Sequence, residues 1–161
     1  MYTIRVATAS DHASITDLIT HYQMVPPIFA PTCRWWVATD SQAAVVATIG
    51  AEQGGDAWLL RSAIVARDAR GHGLGRQLTT ALIAAAQQQS IHCVYCFSTD
   101  AGEFWQHMDS TKCRWHTCSL RYHTCHKLHN LRHSGGCLAK SHGVTMSIHV
   151  SSPNIHLGSC H

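Results

Sequence analysis

The chain has 161 residues, 45% of them apolar and 13% charged, with a net charge of +3. That length suffices for one domain with a core of its own, without a metal or disulfide staple. The start Met1-Tyr2-Thr3-Ile4-Arg5 is not a basic segment leading into an apolar run, and no apolar stretch approaches the roughly 18 residues of a membrane span; a soluble, cytoplasmic protein with reduced cysteines is expected.

The totals average two unlike pieces. Residues 1–108 hold eight acids, six arginines and no lysine, whereas residues 109–161 hold one acid, Asp109, against six lysines and arginines. Nine of the 14 histidines and five of the eight cysteines also fall in the second piece. A domain over 1–108 and an atypical His/Cys-rich tail over 109–161 are therefore expected.

In chain order, Tyr2 to Ala7 is rich in β-formers and reads as a first strand. Ser10 offers a helix cap, and Ile15, Leu18, Ile19 and Tyr22 repeat at the spacing of an amphipathic helix. Pro26, Pro27 and Pro31 make a loop. Strands follow at Arg34–Ala38 and Ala43–Ala51, with a turn at Asp40-Ser41, and Gly54-Gly55-Asp56 turns the chain into an apolar strand, Ala57–Val65. After Asp68 the stripe Leu78, Ala81, Leu82 and Ala85 is helical, and Ile91–Phe97 is another strand. Within it Cys93 and Cys96 stand three apart, so they point to opposite faces and read as small buried residues, not as a metal or redox pair. Ala101, Phe104, Trp105 and Met108 repeat at helical spacing after Asp100. The order predicts an α/β fold, a mixed central sheet flanked by helices on both faces.

The informative stretch is Arg70-Gly71-His72-Gly73-Leu74-Gly75-Arg76, between a strand and a helix. Alternate glycines let the backbone approach a ligand and take positive φ at little cost. The amides that open the helix lack intrahelical acceptors and lie at its positive end, which suits an anion. Arg70 and Arg76 add charges suited to phosphate. A phosphate-binding P-loop needs a lysine after the glycines, but the first lysine is Lys112. A dinucleotide loop needs G-x-G-x-x-G after the first strand of a βαβ unit, whereas here Arg76 occupies the last glycine position after a fourth strand.

The segment resembles motif A of the GNAT acetyltransferase superfamily, Arg/Gln-x-x-Gly-x-Gly/Ala, here Arg70, Gly73 and Gly75. The resemblance spans roughly Tyr2 to Met108, including Ile4-Arg5, Ala7-Thr8 and Leu59–Val65. More narrowly, Leu59-Leu60-Arg61-Ser62, Ser98-Thr99-Asp100-Ala101 and Phe104 resemble small GNAT proteins encoded beside arsenic-resistance genes. The resemblance implies acetyl-CoA as cosubstrate and a small-molecule amine as acceptor, with no nucleic-acid or membrane partner; a homodimer is left open. It implies that the backbone of Ala63, Ile64 and Val65 pairs with the pantetheine arm. It also implies that the Gly71, His72, Gly73, Leu74 and Gly75 segment, with Arg70 and Arg76, holds the pyrophosphate.

The implied reaction is direct attack of the amine on the thioester, with a strand amide meeting the oxyanion. Glu52 is the candidate base, its alternative being a solvated turn carboxylate. Ser62 and Arg61 point to opposite faces of a regular strand; one of them meets the substrate, or Arg61 joins an ion pair. Many GNAT members carry a tyrosine after the fifth strand to protonate the departing thiolate, but Phe104 and Trp105 stand there. A thiolate with a pKa of roughly 8.5 leaves without that help.

In the tail, His123, His126, His129 and His133, with Cys118 and Cys125, make a metal site conceivable, and the basic residues a nucleic-acid contact. Neither has the spacing of a known site. Regrouping the back-translated codons of Met108 to His116 by one base gives Gly followed by Phe or Leu, which resembles the start of the family's last strand pair. Residues 109–161 are thus read as an out-of-frame, poorly ordered tail, with the final strands missing and the strand from Ile91 left as an edge.

Overall fold

The computed structural model describes residues 1–91, 93–98, 115–118 and 144–149. The elements are β1 (Thr3–Val6), α1 (His12–His21), β2 (Cys33–Thr39), β3 (Val45–Gly54), β4 (Ala57–Val65), α2 (Leu74–Gln88), β5 (Cys93–Ser98), β6 (Trp115–Cys118) and β7 (Val144–His149). They form one mixed sheet in the order β1-β2-β3-β4-β5-β7-β6, in which only β4 and β5 run parallel. The parallel pair requires a crossover, and α2 supplies it.

The two helices cover opposite faces, as the alternation of the strands dictates. On one face Leu74, Leu78, Leu82 and Ala86 of α2 pack on Trp36, Ile49, Trp58, Leu60, Val94 and Cys96. On the other, Ile15 and Ile19 of α1 pack on Trp35, Val37 and Ile64. A strand buried on both faces reads as a continuous apolar run, and Ala57-Trp58-Leu59-Leu60 does so. Cys93 and Cys96 are both buried in β5, and burial pushes the Cys96 thiol up to about 12. Among the described residues no helix is long and apolar enough to cross a membrane.

The mixed sheet between helices agrees with the sequence reading, but three local details differ. First, Ser10 is not the cap of α1. The chain passes through a short 3-10 turn, Ala9–Asp11, and Asp11 receives hydrogen bonds from the Thr8 backbone N–H at 2.7 Å and the Thr8 hydroxyl at 2.9 Å. Second, Glu52 lies inside β3 and is buried, not on a solvated turn. Third, β5 is not an edge: β7 pairs with it antiparallel from Cys93↔His149 to Ser98↔Val144, and β6 pairs with β7. Val144, Met146 and Ile148 alternate with Thr145, Ser147 and His149, a period of two that a search for helical spacing passes over. The expected helix at Ala101–Met108, and the histidines from His123 to His133 with Cys125, lie outside the described residues.

Arg5 of β1 donates through both terminal nitrogens to the Asp11 carboxylate, at 2.7 and 2.8 Å. Together with the Thr8 bonds, this guanidinium holds the Asp11 carboxyl well below the usual aspartate range. A carboxyl depressed in the fold contributes stability above the ordinary aspartate pKa of about 3.9, and that contribution is lost as pH falls below it. Arg5 is partly exposed, so the screened contribution is about 1 kcal/mol. Asp11→Asn should lower the urea midpoint at pH 7 and converge on the parent as pH is taken down through 4 toward 2.

Candidate active site

The site begins where two strands separate. β4 pairs with β5 only from Ala57↔Cys93 to Leu60↔Cys96, although β4 continues to Val65. Beyond Leu60 that edge of β4 pairs with no strand among the described residues, so a wedge opens beside it.

A bulge sits at the mouth of that wedge. Thr48 faces Ile64 and Gly50 faces Arg61, so one β3 residue, Ile49, opposes two of β4, Ser62 and Ala63. Ser62 has φ +44°, the left-handed region that a side-chain-bearing residue seldom adopts. The inserted residue re-aims the strand. It brings Arg61 and Ile64 to the same face, although three residues of regular strand would put them on opposite faces. The regular strand through Arg61 is thus interrupted at Ser62. Ser62 is half-buried, and Ala63 is exposed beside the wedge.

The glycine segment follows. Gly71 and Gly73 have φ of +82° and +70°. Gly73 caps α2, and the first helical donor to find an acceptor within the helix is Gln77, which donates to the Gly73 carbonyl at 3.0 Å. The amides of Gly73, Leu74 and Gly75 precede that point and emerge at the positive end of a 15-residue helix. Arg76 is exposed on the first turn.

Contacts of His72, Arg70 and Tyr22 hold the loop's shape. His72 donates its Nδ1 hydrogen toward the Arg70 carbonyl at 3.0 Å and lies 3.3 Å from the Ala69 carbonyl, while its ring meets Tyr2 edge-on at 5.2 Å. The Arg70 Nε donates to the Val65 carbonyl at 3.2 Å, and its guanidinium lies 5.7 Å from the centre of the Tyr22 ring. The Tyr22 hydroxyl accepts the Arg67 N–H at 2.7 Å. His72 is thus part of the loop's scaffold. Tyr22 was read in the sequence only as part of the α1 stripe; no local signal connects it to a loop 45 residues away.

Glu52 and Arg61 meet across the β3–β4 hairpin. The Glu52 Oε2 accepts from Arg61 Nε at 3.0 Å and from Arg61 Nη2 at 2.5 Å. The carboxylate is buried, with 6% of its side chain exposed, whereas 34% of the Arg61 side chain is. Of the two roles open to Arg61, the ion pair is formed, and the Glu52 carboxylate is committed to it.

A strand wedge beside a bulged strand, entered next to a glycine turn and a helix start, suits an acyl-CoA N-acyltransferase, and the family match makes that the class. More particularly, residues 31–109 match the acetyltransferase (GNAT) domain family, and the chain carries a GNAT domain. The comparisons reach this superfamily and not the narrower arsenic-associated group. No curated protein matches the chain. Among solved structures it is similar to a GNAT-family acetyltransferase from Staphylococcus aureus, at 14% identity and TM-score 0.68, over 94% of this chain and all of that one. It is also similar to the ribosomal-protein-S18-alanine N-acetyltransferase from Escherichia coli, at 12% identity and TM-score 0.66, over 98% of this chain and 100% of that one. A third is N-acetylglutamate synthase from Neisseria gonorrhoeae, solved with coenzyme A and N-acetyl-glutamate, at 15% identity and TM-score 0.70, over 94% of this chain and 35% of that one. At such identities the likeness is one of fold.

Proposed function

We propose that this chain transfers the acetyl group of acetyl-CoA to the amine of a small molecule in the cytoplasm. The observation that carries the reading is the wedge between β4 and β5, because it opens beside the unsatisfied amides at the start of α2. A diphosphate fits those amides, being an anion at a helix N-terminus with arginines on either side. Gly71, His72, Gly73, Leu74 and Gly75 supply the cradle, and Arg70 and Arg76 the flanking charge. The backbone of Ala63, Ile64 and Val65 runs along the wedge, where those of its amides and carbonyls not bonded to β3 or, at Val65, to Arg70 can pair with an extended amide-bearing arm.

When bound, acetyl-CoA supplies an activated acyl group as a thioester. The residues of the chain position it and receive the acceptor. In this reading the bulge at Ser62 re-aims the strand, and a strand amide beside the wedge meets the negative charge that develops on the acyl oxygen. Glu52 is the base in this reading, acting on the amine through water while its Oε2 accepts from Arg61.

Saturating acetyl-CoA should raise the melting midpoint. At about 100 times Kd, binding to the native state alone contributes roughly 2.7 kcal/mol, which is about 5–10 °C for a chain of this size. Thiol release on addition of an amine panel then reports transfer. Unchanged melting with acetyl-CoA, at concentrations up to several millimolar, would remove the proposal.

A further inference from the structure

We infer that Arg61 reads an anionic group on the acceptor, so that the preferred acceptor is an amine bearing a carboxylate or a similar oxoanion. This rests on the acyltransferase reading of the wedge and deepens it.

The argument is one of position and geometry. Leu60 is the last β4 residue paired with β5, and Arg61 is the next, so its side chain leaves the sheet where the wedge opens. The bulge puts it on the same face as Ile64, which packs with α1, away from the face that carries α2 and the glycine segment. The cofactor cradle and Arg61 thus approach the same gap from different sides.

The guanidinium is also oriented. Five N–H donors form a planar fork. Glu52 takes one from Nε and one from Nη2, both on Oε2. That fixes the plane and leaves the Nη1–Nη2 edge, which is the edge that matches a carboxylate with two parallel hydrogen bonds. A third of the Arg61 side chain remains exposed although its partner is buried. An arginine serving only to neutralise Glu52 needs no such outward edge. Glu52 is in this view a positioning residue, holding the fork against the entropy of a long side chain.

The test uses matched acceptors on the full chain: amino acids against the corresponding amino-acid amides, which keep the amine and remove the negative charge. Thiol release should favour the carboxylate in kcat/KM by about tenfold or more, mainly through KM. Arg61→Gln should bring that ratio near one, and Arg61→Lys should restore part of it. Arg34→Gln, an exposed β2 position of the same charge, should leave the ratio at its parent value. Because Arg61→Gln takes the guanidinium away from a buried carboxylate, the double variant Glu52→Gln with Arg61→Gln, read by ligand melting, serves if the single one fails to fold. Melting of the acetyl-CoA-free protein with N-acetylated amino acids, against their amides, reads the same preference without turnover. A purely structural Arg61 would lower the melting midpoint in its variants and leave the ratio unchanged. Equal use of carboxylate and amide by a parent chain that binds acetyl-CoA overturns the anion assignment alone; failure to bind acetyl-CoA removes the acyltransferase reading and this inference with it.

Discussion

Gly73→Val should weaken acetyl-CoA binding by about two orders of magnitude while the fold survives. The cost is conformational, not steric. A Cβ on Gly73 would meet nothing nearer than the Gln77 Nε2 at 3.8 Å, but φ is +70°. A β-branched residue held there costs roughly 1–2 kcal/mol, which the loop can relieve only by rotating out of the left-handed region. That rotation turns away the amides of Gly73 and Leu74 at the start of α2. Losing one or two charge-assisted hydrogen bonds, each about 1.5–3 kcal/mol, accounts for the predicted change at 1.4 kcal/mol per tenfold. Calorimetric titration measures it. The control is Gly55→Val, in the β3–β4 turn: its φ is +63° and its Cβ likewise meets no atom within 4 Å. The two substitutions carry similar strain, so Gly55→Val should lower stability and leave Kd alone. If both variants bind acetyl-CoA as tightly as the parent, the glycine segment is only a connector.

The largest change in stability is expected at Gly50. A Cβ there would lie 2.8–2.9 Å from three ring carbons of Trp35, its partner across β2 and β3. No real Cβ contact is that short, and the indole has little room to give. Its Nε1 donates to the Ile28 carbonyl at 3.3 Å, and it packs against Phe29, whose ring stacks on His12 at 3.8 Å. Shifting Trp35 therefore disturbs the α1 face as a whole. Gly50→Ala should cost about 1–3 kcal/mol, the usual range for overpacking. Urea titration followed by tryptophan fluorescence would measure it. Trp35→Leu opens the space, so the pair should be far from additive. An additive double variant would show that the ring moves aside at no cost.

What could be read in the sequence was what is local in it. The run from Arg70 to Arg76 carries its chemistry in consecutive residues, and β4 was bounded correctly because Gly54-Gly55-Asp56 precedes an apolar run buried on both faces. The bulge was not legible, since it depends on how Thr48 and Gly50 register against Ile64 and Arg61. The Glu52–Arg61 pair was half legible. Both residues were singled out, but their meeting needs the hairpin register, and the burial of Glu52 needs the packed sheet. At the head of α1, Asp11 is engaged by Arg5 and Thr8, so Thr8 caps the 3-10 turn and Asp11, not Ser10, stands at the N-cap of the helix. The strands Trp115–Cys118 and Val144–His149 lie in a segment whose His/Cys-rich composition hides them, and of the two only Val144–His149 alternates in sequence.

The first strand has a consequence for how the molecule keeps to itself. β1 is four residues long and covers the outer rim of β2, and Arg5 fastens it to Asp11 at the head of α1. A rim of unpaired amides and carbonyls invites a foreign strand to add on. The clip therefore guards solubility as well as shape. In acid, when the carboxylate takes up a proton, the first thing uncovered is a template for stacking one chain on another.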